Sequence, residues 1–97
     1  MARVGRASLD PQVELARFLD EQGRLRTMPS RPAVQQEALR HLLGKFDAGR
    51  AYTEREVNAL LLEWHLFGDP ARLRRDMFQM GLLTRDPAGR EYRVAVR

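Results

Sequence analysis

Apolar residues recur every three or four positions in four stretches of the chain, which is the spacing of helices that bury one face. The four stretches carry Leu15, Phe18 and Leu19; then Leu39, Leu42, Leu43 and Phe46; then Val57, Leu60, Leu61 and Trp64; and last Leu73, Met77 and Met80. The pattern predicts four helices packed around one core.

Proline and one capping motif indicate where these helices begin. Pro11, Pro32 and Pro70 each follow a polar residue, and proline in the first turn of a helix leaves no amide unpaired. Thr53 and Glu56 match a capping box, in which each side chain accepts a hydrogen bond from the amide of the other residue. The four helices are therefore predicted to begin at these positions.

Glycines and polar runs indicate where the helices end. Gly23 suits the left-handed conformation that stops a helix, so the first helix is predicted to end near Gln22. The second helix is predicted to reach Phe46, before a short polar run breaks it. The fourth helix is predicted over residues 70–80, with Gly81 as its end.

Shorter stretches between and after the helices have the composition of extended chain. Residues 24–28 predict a short extended segment, and residues 50–52 predict a connector or a strand of one bridge. Residues 82–86 and 90–96 flank the turn at 87–89 and predict a β-hairpin. The second of these runs is predicted to place Tyr92, Val94 and Val96 on one side and Arg93 and Arg97 on the other.

The order of the elements predicts the fold class. Helix, short extended connector, helix, tight turn, helix and hairpin follow one another as in a winged helix-turn-helix, with an additional helix at the N-terminus. The chain of 97 residues has room for one core. It is predicted to be a small α+β, winged-helix-like domain, mostly helical, over residues 9–97, after a flexible N-terminus at residues 1–8.

Composition excludes several classes of protein. The chain has no cysteine, which excludes disulfides and thiolate metal sites. It has no apolar run long enough for a membrane span or a signal peptide. A cytoplasmic protein without a membrane partner is therefore expected, and its net charge of +4 favours an anionic partner.

The positive charge is concentrated in one part of the chain. Residues 72–97 hold seven arginines against three carboxylates, whereas residues 51–71 hold one arginine against four carboxylates. The fourth helix and the hairpin are therefore predicted to meet phosphates, and the third helix is poorly suited to them.

The fourth helix is the candidate reader of DNA. On a helical wheel, Arg72, Arg75 and Gln79 lie opposite the apolar stripe, where arginine suits guanine and glutamine suits adenine. The arginines of the hairpin suit phosphate or minor-groove contacts. The predicted DNA-binding residues are Arg72, Arg74, Arg75, Gln79, Arg85, Arg90 and Arg93. The alternative is a solvated face, partly neutralised by pairs such as Arg72 with Asp76.

Enzymatic chemistry is not predicted. His65 and Asp69 lie at a helix break and are assigned to a connector and a cap. Glu37 and His41 share a helix face, but two ligands fall short of the three protein ligands usual for catalytic zinc. No serine has an adjacent histidine base, so no catalytic group, metal or cofactor is expected.

Two aromatic residues need an assignment of their own. Trp64 continues the apolar stripe of the third helix and is predicted to lie in the core. Phe78 lies off the stripe of the fourth helix. It either packs under the hairpin, which is the preferred interpretation, or is exposed for a partner protein.

A set of short strings is shared with a known family. The strings are Tyr52-Thr53-Glu54-Arg55-Glu56-Val57-Asn58, then Asp69-Pro70 with Leu73-Arg74-Arg75-Asp76, then Gly81-Leu82-Leu83 with Arg85, Gly89 and Tyr92. From about Phe18 to Val94 the chain resembles a bacterial family catalogued as domain of unknown function twenty eighty-seven.

The resemblance implies a compact winged-helix-like module. Such modules occur alone, or fused to transcriptional regulators of the arsenical-repressor type or to acetyltransferases, and no established activity comes with the family name. Because the fused members possess a separate DNA-reading domain, the resemblance also favours an accessory or interaction module.

Two functions are predicted, in this order. The first is a DNA-binding transcriptional regulator that reads duplex DNA with the helix at 70–80 and a basic hairpin. The second is a non-enzymatic protein-interaction module of the same fold, for which exposed apolar surface would be the sign. The sequence leaves the oligomeric state open.

Overall fold

The computed structural model of the protein describes residues 10–95. Within them lie four α-helices and one hairpin: α1 at Pro11–Leu15, α2 at Pro32–Leu43, α3 at Glu54–Trp64, α4 at Pro70–Gln79, β1 at Leu83–Arg85 and β2 at Tyr92–Val94. The chain is therefore a small α+β protein, as predicted. The flexible terminus predicted at residues 1–8 and the positions predicted for Val96 and Arg97 lie outside the described residues.

The first helix is shorter than predicted. After Pro11–Leu15 the chain tightens into a 3₁₀ turn at Ala16–Phe18, and the helix ends there rather than near Gln22. Leu19 is extended, with φ −108° and ψ 145°, and forms a single antiparallel bridge with Leu25. Leu25 is the second residue of the extended segment predicted at 24–28, so the bridge confirms that segment at this position.

A side-chain cap explains why the first helix ends early. The Oδ1 atom of Asp20 accepts hydrogen bonds from the amides of Gln22 and Arg24, at 2.9 and 2.8 Å. Bonds of this kind compete with the helical ones. Gly23 has φ +83° and closes this turn, so its left-handed conformation is used between the two bridged segments and not at the end of a helix.

The second helix begins at Pro32, as predicted, but ends at Leu43 instead of reaching Phe46. The amide of Phe46 donates to the carbonyl of Leu43 at 3.0 Å, three residues back, which is the bond of a tight turn and not of an α-helix. Phe46 is nevertheless buried, and its ring meets the ring of Tyr52 edge to face at 5.1 Å between centroids.

The third helix begins at the capping box that the sequence predicts. The Oγ1 atom of Thr53 accepts from the amide of Glu56 at 3.1 Å, and Oε1 of Glu56 accepts from the amide of Thr53 at 2.9 Å. The inner face of α3 buries Val57 and Leu61. Trp64, predicted to be core, is partly buried against the core.

The predicted hairpin is present, with Leu83 opposite Val94 and Arg85 opposite Tyr92. The amides of Tyr52 and Tyr92 each donate to the carbonyl of the other residue, at 2.8 and 2.7 Å. This bridge places the connector before α3 beside β2 as a third antiparallel segment, and it confirms the one-bridge strand among the two predicted alternatives.

One core joins all of these elements. Its buried apolar residues are Leu15, Leu25, Val34, Ala38, Leu39, Leu42, Phe46, Tyr52, Val57, Leu61, Leu73, Met77, Leu82, Leu83 and Tyr92. The core therefore fixes α4 and the hairpin against α2 and α3, which leaves the outer sides of α4 and the hairpin to solvent. In the described part of the chain, the helices are too short or too polar to cross a bilayer.

Candidate nucleic-acid interface

A tight turn joins α3 to α4, and His65 fixes it. The ring of His65 is buried, its Nδ1 donates to the carbonyl of Leu61, and its Nε2 accepts from the amide of Asp69 at 2.8 Å. These partners require the neutral tautomer with the proton on Nδ1. The sequence predicts a connector here and does not reveal that the histidine is buried, because nothing local distinguishes a buried histidine from a solvated one.

The cap predicted for the fourth helix is present. The Oδ1 atom of Asp69 accepts from the amide of Arg72 at 3.3 Å, and Pro70 occupies the first turn. Gly68, just before the cap, has φ +65°, a conformation that favours glycine. Turn, cap and proline together set the direction in which α4 leaves α3.

The register of α4 decides which of its side chains face solvent. Leu73 and Met77 are fully buried. Arg72, Arg75 and Gln79 are exposed, as the helical wheel predicts. The outer side of α4 therefore presents two guanidinium groups and one amide.

The two exposed arginines of α4 have different surroundings. The Nε atom of Arg72 lies 3.6 Å from Oδ2 of Asp76, an exposed pair of the kind that contributes little to stability. This is the neutralising pair named in the alternative interpretation. Among the described residues, Arg75 has no carboxylate partner.

Arg74 is among the predicted DNA-binding residues, but it does not lie on this outer side. Its Nη1 donates to Oδ1 of Asn58, its Nη2 lies 3.7 Å from Oε2 of Glu54, and its side chain is only 16% exposed. Its guanidinium also lies 6.0 Å from the centroid of the Tyr92 ring. Arg74 therefore links α4 to α3 and the hairpin, and its donors are engaged within the protein.

Phe78 packs against the hairpin and is still partly exposed. The guanidinium of Arg85 lies over its ring, 4.6 Å from the centroid, and Phe78 as a whole residue is 38% exposed. The preferred interpretation, packing under the hairpin, is therefore right about the contact, while the exposure leaves the ring open to a partner as well.

The turn of the hairpin is organised by Asp86. Its Oδ1 accepts from the amides of Glu91 and Arg90, at 3.1 and 2.6 Å. These hydrogen bonds hold the pKa of the Asp86 carboxyl below its ordinary value, and the bond from the Glu91 amide has a larger effect than the bond from the Arg90 amide. Arg90 and Arg93 are both exposed on the hairpin, and Nη2 of Arg93 lies 3.9 Å from Oε1 of Glu91.

Two concave surfaces border α4. A groove of about 480 Å³ between α2 and α4 is lined by Met28, Pro32, Gln35, Gln36, Leu39, Arg72, Arg75, Asp76, Gln79 and Met80. The α4–hairpin cavity, of about 290 Å³, is lined by Arg74, Arg75, Phe78, Gln79, Arg85 and Tyr92. Arg75 and Gln79 line both surfaces, so they form the ridge between them. Arg90 and Arg93 line neither of the two.

Comparison with known proteins gives one match. A bacterial family described as an uncharacterized protein conserved in bacteria, DUF2087, matches residues 24–94. No curated protein and no solved structure matches the chain. The winged-helix arrangement and its link to regulators therefore stay predictions.

Proposed function

Because this chain belongs to DUF2087, a family of uncharacterized proteins conserved in bacteria, we propose its function from its own surface: it binds duplex DNA as a transcriptional regulator. In this proposal α4 enters the major groove and reads base edges, and the hairpin contacts the backbone beside it. The order of elements from α2 to β2, with the bridge at Tyr52, supports the proposal because winged helix-turn-helix proteins have that order.

The exposed side of α4 is the observation that carries the proposal. Arg75 and Gln79 project from the side opposite the buried stripe, and Arg75 makes no ion pair within residues 10–95. Arginine can donate two hydrogen bonds to guanine and glutamine can pair with adenine in the major groove. Arg72, already paired with Asp76, is assigned to phosphate or base contacts at the start of the helix.

The hairpin supplies the sequence-independent part of the interface. Arg85, Arg90 and Arg93 are exposed on it. Arginines in this position neutralise phosphates and fix the register of the protein on the duplex, without reading its sequence.

The charges of α3 favour one direction of approach. Glu54, Glu56 and Glu63 are exposed on α3 with a single exposed cation, Arg55. A duplex lying along α3 would face repulsion between these carboxylates and its phosphates. We therefore place the duplex on the side of α4 and the hairpin.

An amide chemical-shift titration with a short duplex tests the proposal. We expect the shifts to concentrate on α4 and the hairpin and to leave α1 unchanged, and we expect Arg75→Gln to weaken binding while Arg17→Gln, on the exposed side of the 3₁₀ turn, has little effect. Shifts confined to α1 or α3 would contradict the proposed orientation.

A second candidate function is a self-association module, and the outer side of α3 favours it. Leu62 on α3 is 53% exposed, and Leu66, just after the end of α3, is 51% exposed. Ala59 is also exposed and lies four residues from Arg55 and four from Glu63. An antiparallel pair of α3 helices crossing at the small Ala59 would place Arg55 of one copy opposite Glu63 of the other, so the partner we assign to this surface is a second copy of the chain.

Sedimentation with a charge swap tests this second candidate. Arg55→Glu alone and Glu63→Arg alone should weaken self-association, because each places like charges opposite one another, and the double variant should restore it. A parent protein that stays monomeric as its concentration is raised would remove the candidate.

A further inference from the structure

Of three cavities formed by residues 10–95, the α4–hairpin cavity is the one whose lining has no carboxylate. Its charged lining consists of Arg74, Arg75 and Arg85. The groove beside α2 includes Asp76, and a third cavity, beside α3, includes Glu56 and Glu63. The α4–hairpin cavity is therefore the one of these three that is electrostatically suited to an anion.

Arg85 is held in place within this cavity. The ring of Phe78 lies under its guanidinium, 4.6 Å from ring centroid to Cζ. Gly89 lies on its stem, since a Cβ atom at that glycine would be 3.8 Å from Cδ and 3.9 Å from Nε of Arg85. An aromatic face engages the flat side of a guanidinium and leaves the N–H groups at its edge free. The N–H donors of Arg85 are therefore already oriented, and little further side-chain entropy is lost when Arg85 binds a ligand.

Arg75 faces the same cavity from α4. Within residues 10–95 neither Arg75 nor Arg85 forms an ion pair, so both guanidinium groups are available to an anionic ligand. Arg74 lines the wall with its donors engaged by Asn58 and Glu54, and it contributes charge but few free donors.

From this arrangement we infer that the α4–hairpin cavity seats one phosphate group between Arg75 and Arg85, with Phe78 as the positioning residue that holds Arg85. Arg75 then contacts the DNA backbone, and the base edges are left to Gln79 and Arg72. A phosphate offers several acceptor oxygens, and guanidinium groups approaching from two sides can each donate to a different one. Gln79 also lines the cavity, and its side-chain amide can donate a hydrogen bond as well.

The source of the phosphate rests on the proposed function. If α4 occupies the major groove while the hairpin lies beside it, the backbone strand between them crosses the α4–hairpin cavity, and the seated group is a backbone phosphodiester. The same chemistry would accept a free phosphorylated molecule, and the experiment separates these two sources.

Two titrations of the full chain test the inference. In the first, labelled duplex is added to the parent and to Arg85→Gln, Arg85→Lys and Phe78→Leu, with Arg17→Gln as the control for loss of a remote charge. In the second, inorganic phosphate is added while the Nε–H signals of Arg75 and Arg85 are followed, with chloride at equal ionic strength as the reference. Thermal unfolding of each variant verifies that it is folded.

The inference predicts a graded effect on duplex binding. Arg85→Gln should weaken it about tenfold or more, since a hydrogen bond between charged groups is lost. Arg85→Lys should fall between the parent and Arg85→Gln. Phe78→Leu should weaken binding about two- to fivefold by releasing Arg85, and Arg17→Gln should change it little. Inorganic phosphate should shift both Nε–H signals saturably in the parent. In Arg85→Gln, where only the Arg75 signal remains, it should leave that signal unshifted.

The outcomes separate the inference from the proposed function. Duplex binding by the parent that is insensitive to Arg85→Gln, together with phosphate-insensitive Nε–H signals, would overturn the phosphate seat and leave DNA binding standing. Saturable phosphate shifts without duplex binding would support the seat, assign it to a free phosphorylated molecule and overturn the DNA proposal. Equal shifts with phosphate and chloride would overturn the seat.

Discussion

His65 and Asp69 are joined by a hydrogen bond, in which the main-chain amide of Asp69 donates to the buried Nε2 of His65 at 2.8 Å. The bond ties the end of α3 to the cap of α4. The orientation of the exposed side of α4 therefore depends on a histidine that touches no part of the proposed interface. A buried side chain with two main-chain partners is also a residue whose loss has a measurable effect on stability.

We expect His65→Leu to destabilise the protein by about 1–3 kcal/mol, because the amide of Asp69 and the carbonyl of Leu61 lose their partner in a buried place. His41→Leu is the matched control, since the half-buried His41 makes one such bond, to the carbonyl of Gly23 at 2.7 Å. Chemical unfolding measures both. A smaller loss for His65→Leu than for His41→Leu would contradict the role given to His65.

The capping box makes a prediction about α3. Thr53→Ala removes the acceptor of the Glu56 amide and should cost about 0.5–2 kcal/mol without abolishing folding. Thr53→Ser keeps the hydroxyl and should cost less. Equal unfolding midpoints for the parent and Thr53→Ala would mean that the box contributes nothing.

The same box makes the stability depend on pH. The hydrogen bond from the amide of Thr53 is the main cause that lowers the pKa of the Glu56 carboxyl. A carboxyl with a lowered pKa in the folded state adds stability above its unfolded pKa, and this stability is lost as the pH falls through the folded value. The free energy of unfolding should therefore fall below about pH 4.5, and it should fall less steeply in Glu56→Gln. Parallel pH profiles for the two proteins would contradict this account.

The register of α4 predicts a contrast between two of its residues. Met77→Ala opens a cavity at a fully buried position and should cost about 2–5 kcal/mol. Arg75→Ala, at an exposed position without an ion pair in the described chain, should stay within about 0.5 kcal/mol of the parent. The denaturant midpoints of the two variants, compared at a common slope of unfolding free energy against denaturant concentration, measure these two losses. A larger loss for Arg75→Ala would mean that Arg75 is structural and that the exposed side of α4 is wrongly assigned to DNA contact.

Helix starts could be predicted from the sequence because their causes are local. Pro32, Pro70 and the Thr53 capping box act on amides within one turn of the chain, and all three begin helices where predicted. The end of α1 could not be predicted in the same way. It depends on the turn that Asp20 forms and on the bridge between Leu19 and Leu25 across that turn, and a pairing across a turn leaves no periodic signal in the helix itself.

The candidate interface likewise has one part that the local sequence predicts and another part that depends on distant residues. The exposure of Arg75 and Gln79 follows from the helical period alone, and the structure agrees with it. The engagement of Arg74 depends on Asn58, sixteen positions earlier on another helix, so a wheel of α4 cannot show it. The stacking of Arg85 on Phe78 likewise requires the hairpin to fold back over α4.

The salt dependence of duplex binding tests the central claim most directly. Each phosphate that the protein neutralises releases counterions and contributes a slope of about −0.9 to log affinity against log salt. Contacts from Arg75 and from the hairpin arginines Arg85, Arg90 and Arg93 therefore predict a total of about −3 to −4 for three or four phosphates. Anisotropy of a labelled duplex between about 50 and 200 mM salt measures this slope. We predict detectable binding at the low end, a slope in that range, and a slope flatter by about one unit in Arg90→Gln or Arg93→Gln if that residue contacts a phosphate. Absence of binding at about 50 mM salt, where electrostatic attraction is strongest, would contradict the account.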